Sequence, residues 1–437
     1  MKHKLVLIIS GLLLGLQTLT AQQSRTLTLK EAIDLTLAYS KTLKVNKTKI
    51  EEASAAIKEA YERKLPEASI SGSYLYLPFQ PNVDLKTGGP DTGSRGTPNV
   101  NQAMYGIASV SVPIYNGDRL KYGIESAKYL EQAVKLDADN DRGLVILNVV
   151  NACINLYKAH QAIELVKENL ATSQQRVNDL TNLEKNGLLP RNDLMKAALQ
   201  SSNIELTLLD AESNYKLASV NMDLMMGLPE QTILIPDRSG LALPAAIKIL
   251  DEYEQDALKN RKDIGALSFR KKAAIAGIQS ARGNYYPSVA FTGGYVAADI
   301  PKLLTITNAV NIGIGVKYDL ASLWKNKTKI QQANIKEQQL QLNEEMLNDN
   351  IRLQVNQAYQ AYLVSQKKIQ VYEKAVLQAT ENYRITKNKY DNSLATTTEL
   401  LDADVALLQT KLSVTNAKAD SFLAYNKLLQ VTGALNN

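Results

Sequence analysis

Reactive side chains are scarce in this sequence. One cysteine, Cys153, and two histidines, His3 and His160, are all it offers, so it has no disulfide framework, no histidine cluster for a metal and no histidine-based triad. No glycine-rich loop cradles a phosphate. These gaps argue against an enzyme and against a bound metal or cofactor, and leave Cys153 and His160 as ordinary helix residues. Proline and phenylalanine are also few, 12 and four in 437 residues, which favours long unbroken helices. Beyond the leader no uncharged apolar run approaches the roughly 18 residues of a membrane-spanning helix. The formal charge of +6 is spread along the chain without a basic arm, so nucleic acid is not an expected partner.

What the chain does have begins with export. A basic "MKHK", a 12-residue apolar run "LVLIISGLLLGL" and the small Ala21 make residues 1–21 a secretory signal peptide. No cysteine follows the run, so a lipid anchor is not expected. Any membrane span in the exported chain has to be made of strands.

The chain also repeats itself. An offset of 206 runs without a gap from about Arg119/Lys325 to Gly227/Gly433, with identities among them at Ile124/Ile330, Val149/Val355, Ala152/Ala358, Leu194/Leu400 and Ala211/Ala417. Upstream the offset becomes 221, pairing Ala53/Ala274, Pro66/Pro287, Gly72/Gly293 and Tyr74/Tyr295. Nearly all of the difference falls in the Pro/Gly-rich segment 79–101, whose counterpart near 299–307 is short. This is a two-fold internal duplication with one enlarged loop.

Each half carries two periodicities. In the second, Ile351, Val355, Ala358, Tyr362, Ser365, Ile369, Tyr372, Val376, Ala379, Tyr383, Thr386 and Tyr390 step by four and three, the seam of a coiled coil. The first half repeats it from Val145 to Leu180. A helix over 118–185 would reach about 100 Å at roughly 1.5 Å per residue. The other period is two: Ile70, Gly72, Tyr74 and Tyr76; Met104 to Ile114; Val289 to Tyr295; and Val310 to Val316 each alternate with more polar or smaller neighbours. These read as four strands of roughly ten residues, the length and pattern of outer-membrane barrel strands. Tyr74, Tyr76, Phe79 and Tyr105 would mark one aromatic girdle, and Tyr115, Tyr285, Tyr286, Tyr318 and Trp324 the other. Four strands cannot close a barrel, and an open edge in lipid strands backbone polar groups, so oligomerisation is required.

The expected layout is a first repeat, 22–227, with helices 29–65, 118–185 and 190–226 and strands 67–78 and 102–115. A linker follows at 228–250. The second repeat, 251–437, has helices 251–286, 322–391 and 396–432 and strands 288–298 and 308–319.

This order of motifs resembles the TolC-like outer-membrane efflux protein family over nearly the whole exported chain. The resemblance rests on "LTLKEAIDLTLAYS", with Thr28 and Glu31 placed as a capping box, on the breaks "ERKLPEASISGSY" and "GNYYPSVAFTGGY", on "VSVPIYNGDRLKYGIESA", and on "NSLATTTELLDADVALLQTKL" with its partner in the first half. It implies a homotrimer embedded in outer-membrane lipid, whose 12 strands form one barrel continued into the periplasm by an α-helical tunnel. A mixed belt would draw on 22–30, 228–244 and the C-terminal end. The implied role is the passive exit duct of a tripartite efflux pump or type I secretion system, docked to a periplasmic adaptor coupled to an inner-membrane transporter. A trimeric surface adhesin is a rival, but it would keep its four strands together at the C-terminus. A soluble coiled-coil adaptor would lack the alternating strands.

The two turns at 186–194 and 392–400 become the periplasmic tip. As the resemblance implies, Glu399 and Asp402 would line a closed aperture, and Gly187, Leu188, Leu189, Ser393, Leu394 and Ala395 would dock the adaptor. The family's basic tip residue falls on Ala395, which leaves Arg191 near Asp193 to hold the tip shut, while Lys196 occupies the Asp402 column of the first copy. The same two acids also suit the first turn of a helix while facing water.

Overall fold

A computed structural model of the chain describes residues 24–79, 100–237 and 246–435. The expected leader 1–21, most of the segment 79–101, and residues 22–23 and 238–244 of the expected belt lie outside the described residues. The chain is mainly helical and divides into two compact units. One comprises Met1–Asn46, Ala138–Lys262 and Leu347–Asn437, the other Lys47–Asp137 and Asp263–Met346.

In chain order the elements are β1 (Ser24–Leu27), α1 (Leu29–Tyr39), α2 (Lys41–Glu62), β2 (Glu67–Tyr76), β3 (Gln102–Tyr115), α3 (Arg119–Lys185), α4 (Arg191–Met226), β4 (Ile233–Pro236), α5 (Leu250–Asn260), α6 (Lys262–Arg282), a 3-10 turn (Gly283–Tyr285), β5 (Ser288–Ile300), β6 (Leu304–Lys317), α7 (Ser322–Asp391) and α8 (Thr397–Val431). The helices α3 and α7 run for 67 and 70 residues. No proline interrupts either.

Two of the expected helices are broken. The run 29–65 divides at Ser40, which leaves helical geometry at φ −51°, ψ 119°. Its hydroxyl accepts the Leu43 N–H at 3.3 Å and so caps α2. The run 251–286 divides at Arg261, whose guanidinium donates to Gln354 Oε1 at 2.9 Å and to the Val431 carbonyl at 3.2 Å. Ser40 and Arg261 are 221 positions apart, the same offset that relates the flanking columns, so the break is itself duplicated. Heptad periodicity runs across such a one-residue break without registering it. At the start of α1 the capping box is half formed. Thr28 Oγ1 accepts the Glu31 N–H at 3.2 Å, but the Glu31 carboxylate pairs with Arg25 of β1, a full opposite charge that outcompetes a backbone donor.

In the first unit, β1 pairs in parallel with β4. A core of Leu27, Ala32, Val149, Ala152, Leu156, Met222, Met226 and Leu234 fixes this pair to α1, α3 and α4. A second cluster joins Ile146, Val150 and Ile154 of α3 to Ala419 and Phe422 of α8. Along α7 the seam is buried at Ile351, Val355, Ala358, Tyr362 and Ser365. From Ile369 to Tyr390 the same columns are only half-buried.

In the second unit, four antiparallel strands form one sheet in the order β2-β3-β5-β6. Two hairpins, one per repeat, meet at β3 and β5, with Val110 opposite Gly293 and Ala108 opposite Tyr295. Strand β6 begins at Leu304 and ends at Lys317, not over 308–319, because a short turn at 301–303 is all that joins it to β5. Strand β2 ends at Tyr76 and β5 extends to Ile300, against the expected 78 and 298. Rows across the sheet sort by chemistry. Ile70, Ala108, Tyr295 and Val310 form one row of paired positions, and Phe291 with Ile314 another on the same face. The opposite face carries Ser69 hydrogen-bonded to Ser109 at 2.9 Å, Gly294, Asn311 and Thr292. The apolar face is bare, with Val310 70%, Ile312 74% and Ile314 69% exposed.

Candidate functional site

Both tip turns close in the same way. In the first, the Leu188 N–H donates to the Leu183 carbonyl at 2.9 Å and the Gly187 N–H to Glu184 at 2.9 Å. In the second, Leu394 donates to Lys389 at 2.7 Å and Ser393 to Tyr390 at 2.9 Å. This pair of bonds needs a left-handed residue after the helix, and Gly187 and Ser393 supply it at φ 72° and 61°. The turns leave Leu188 and Leu394 fully outward, while Leu189 and Ala395 are half-buried.

The helices that follow begin differently. Pro190 stands at the N-cap of α4 and makes no side-chain cap. Thr396 caps α8 through a complete reciprocal box: its hydroxyl accepts the Glu399 N–H at 3.2 Å and its own N–H donates to Glu399 Oε2 at 2.7 Å. The backbone N–H and the hydroxyl of Thr396 together hold the Glu399 carboxyl below the usual carboxylate range, with Lys389 adding to the effect. Capping is therefore the local reason for this acid. The signature was legible as "TTTE", the T-x-x-E pattern already recognised at Thr28.

The other tip residues are placed as follows. Asp402 is exposed. Asp193 pairs with Lys196 at 3.3 Å, and Lys196 also donates to Thr398 Oγ1 of the second tip at 3.3 Å. Within one chain the link between Arg191 and Asp193 is not made; the ammonium of Lys196, one helical turn from Asp193, takes that carboxylate instead.

The charged centre near the tip is one that periodicity did not single out. Asp404 of α8 accepts from Arg176 Nη1 of α3 at 2.8 Å and from Asn169 Nδ2 at 3.1 Å, and Arg176 Nη2 donates to the Tyr383 hydroxyl of α7 at 3.1 Å. The Arg176 and Asp404 side chains are 11% and 6% exposed. One buried guanidinium thus ties three long helices together. Its only signal in the sequence is that Tyr383 falls on the seam.

Two further groups lie elsewhere in the first unit. Burial pushes the Cys153 thiol up to about 12, which keeps it protonated and inert. Asp223 near the end of α4 is fully buried, neither carboxylate oxygen has a hydrogen-bond partner, and burial with nearby Glu230 pushes its carboxyl up to about 6. Among the described residues no group of three or more His, Cys, Asp or Glu is disposed to hold a metal ion. No described helix is long and apolar enough to cross a membrane.

A sequence model of the outer membrane efflux protein family matches residues 32–228 and 254–434. The cation efflux system protein CusC of Escherichia coli O157:H7 is 23% identical over 282 residues, which cover 62% of this chain and 59% of that protein. The chain therefore spans about three fifths of the length of the curated relatives it matches. Among solved structures, a crystal structure of CusC shares the fold with a TM-score of 0.75 at 19% identity, covering 93% of this chain and 92% of that one. The outer membrane protein VceC of Vibrio cholerae gives 0.72 at 17%, covering 93% and 96%. The CmeC outer membrane channel of Campylobacter jejuni gives 0.74 at 16%, covering 93% and 85%.

Proposed function

The chain belongs to the outer membrane efflux protein family, and from that membership we infer that it is the passive exit duct of a tripartite efflux pump or type I secretion system. As a member of that family it resides in the outer membrane and extends into the periplasm. The observation that carries the reading is the sheet: its apolar face is bare, its other face is small and polar, and the strands at both ends of the order, β2 and β6, have a free edge. Unpaired strand edges cost several kcal/mol per group in lipid. Joining β6 of one copy to β2 of the next removes both edges, and three copies of four strands close a barrel of twelve. The half-buried seam from Ile369 to Tyr390 gains its partner in the same homotrimer.

In this assembly the two tip turns of each chain ring the periplasmic entrance. Leu188 and Leu394, with Gly187, Leu189, Ser393 and Ala395 forming the turns beneath them, present apolar knobs to a periplasmic adaptor, which in turn connects to an inner-membrane transporter. The transporter selects the cargo and supplies the energy; the duct itself catalyses nothing. Glu399, ionised by its capping bonds, and Asp402 line the aperture and favour cations. Arg191, whose Asp193 neighbour is taken by Lys196, holds the tip closed by pairing with a neighbouring chain.

Single-channel conductance in planar bilayers tests this. The variant of choice is Glu399→Gln with Asp402→Asn, because the amide oxygen of Gln still accepts the Thr396 N–H and preserves the cap. Small cation-selective currents that enlarge and lose selectivity in the variant are expected. Unchanged currents would move the constriction elsewhere, and a wild-type chain that never inserts would sink the duct.

A further inference from the structure

A cavity of about 350 Å3 lies within the second unit, where β5 and β6 give way to helix. Four cations line it, Arg119, Lys317, Lys325 and Lys329, against a single carboxylate, Asp319. None of the four forms an ion pair among the described residues. Arg119 is held in place by neutral groups, donating to the Asn116 carbonyl at 2.9 Å and to Asn284 Oδ1 at 2.9 Å. Asp319 already accepts the Ala321 N–H at 3.1 Å. A local excess of positive charge of this kind is self-repelling and is relieved by an anion.

The wall contributed by α7 adds an independent sign of a ligand. Ser322 and Asn326, one turn apart, are 8% and 2% exposed. Ser322 Oγ and Asn326 Oδ1 are both buried without a hydrogen-bond partner. Asn326 Nδ2 is spent on the Ala281 carbonyl at 2.9 Å, so the orphan on that side chain is an acceptor. A buried polar atom left unpaired costs roughly 1–3 kcal/mol, and two in one wall of a charged cavity point to a group that completes them.

We propose that this pocket binds a phosphate group that also carries a hydrogen-bond donor. The three lysines and Arg119 neutralise the phosphate oxygens, Ser322 donates its hydroxyl, and Asn326 Oδ1 accepts the donor. A hydrogen phosphate or phosphomonoester supplies that donor as its own O–H, and a zwitterionic lipid headgroup supplies it as an ammonium. Sulfate has no donor and binds more weakly. Lys317 and its paired position Ser288 fall on the small polar face of the sheet by alternation from Gly315 and Ala290, which favours a water-borne anion. That last step alone rests on the barrel reading, in which the polar face lines the lumen.

The experiment is a calorimetric titration of inorganic phosphate into the full chain purified in phosphate-free detergent. Wild type is compared with Lys325→Gln/Lys329→Gln and with the charge-conserving Lys325→Arg/Lys329→Arg, with helix content checked by circular dichroism. Saturable binding that weakens at least tenfold in the Gln pair, is restored in the Arg pair and is poorer for sulfate is the expected result. Native mass spectrometry of the same preparations identifies the source: phosphatidylethanolamine retained by wild type and lost by the Gln pair assigns a headgroup, and phosphate binding without retained lipid assigns a solute. Neither phosphate binding nor retained lipid, or equal affinity in wild type and the folded Gln pair, overturns the site. Bilayer insertion of the same samples separates the two readings. A chain that conducts but binds no phosphate or lipid loses only the pocket, and one that binds phosphate without inserting loses only the duct.

Discussion

Arg176 donates to Asp404 at 2.8 Å across 228 positions of sequence, and both side chains are almost wholly withdrawn from water. A pair in this setting is costly to break from one side, because the remaining charge stays buried without its counterion. Arg176→Met should destabilise the chain by about 3 kcal/mol in denaturant unfolding, while Arg176→Met with Asp404→Leu should recover most of that loss. Losses that simply add, with the double variant falling by the sum of the Arg176→Met and Asp404→Leu losses, would mean the pair is not coupled.

Asp223 gives the stability a pH dependence of definite sign. Its carboxyl is raised to about 6 in the folded chain from an ordinary 3.8. The folded state therefore holds a proton that the unfolded state has released, and stability falls as pH rises through the window between those values. Above about pH 6 the full cost, on the order of 2–3 kcal/mol, applies. Asp223→Asn removes it. The variant should be more stable than wild type by about that amount at pH 7.5 and nearly equal to it at pH 4; a difference independent of pH would refute the assignment to this carboxyl.

Ser393 occupies a left-handed turn position that Gly187 fills in the other copy. A side chain there costs roughly 1 kcal/mol. Ser393→Gly should slow hydrogen exchange at the Leu394 amide about fivefold, and Gly187→Ala should speed it at Leu188 by a similar factor. No change at either amide would show that the turns are fixed by something other than their backbone geometry.

Much of the architecture was legible because it is periodic and local. The step of four and three that runs from Val145 to Leu180 and from Ile351 to Tyr390 repeats often enough to be read without knowing what it packs on. The alternation in β2, β3, β5 and β6 likewise reports a sheet with one apolar face. The breaks at Ser40 and Arg261 were not legible, since one residue leaving helical geometry changes no apolar spacing. Thr396 with Glu399 carries a recognisable cap signature, because the T-x-x-E spacing is local.

The sequence by itself determined the duplication, legible as one order of residues met twice, and the two periods and the turn residues, which depend on neighbours a few positions apart. Only the tertiary structure decided which acid is buried. Asp402 and Asp404 are two residues apart on one helix and so point to nearly opposite sides; the packing of α3 and α7 against α8 turned Asp404 inward onto Arg176 and left Asp402 in water. It alone gathered Arg119 of α3, Lys317 of β6, and Lys325 and Lys329 of α7 around one cavity. Such groupings depend on where distant segments meet, and no local pattern encodes that distance.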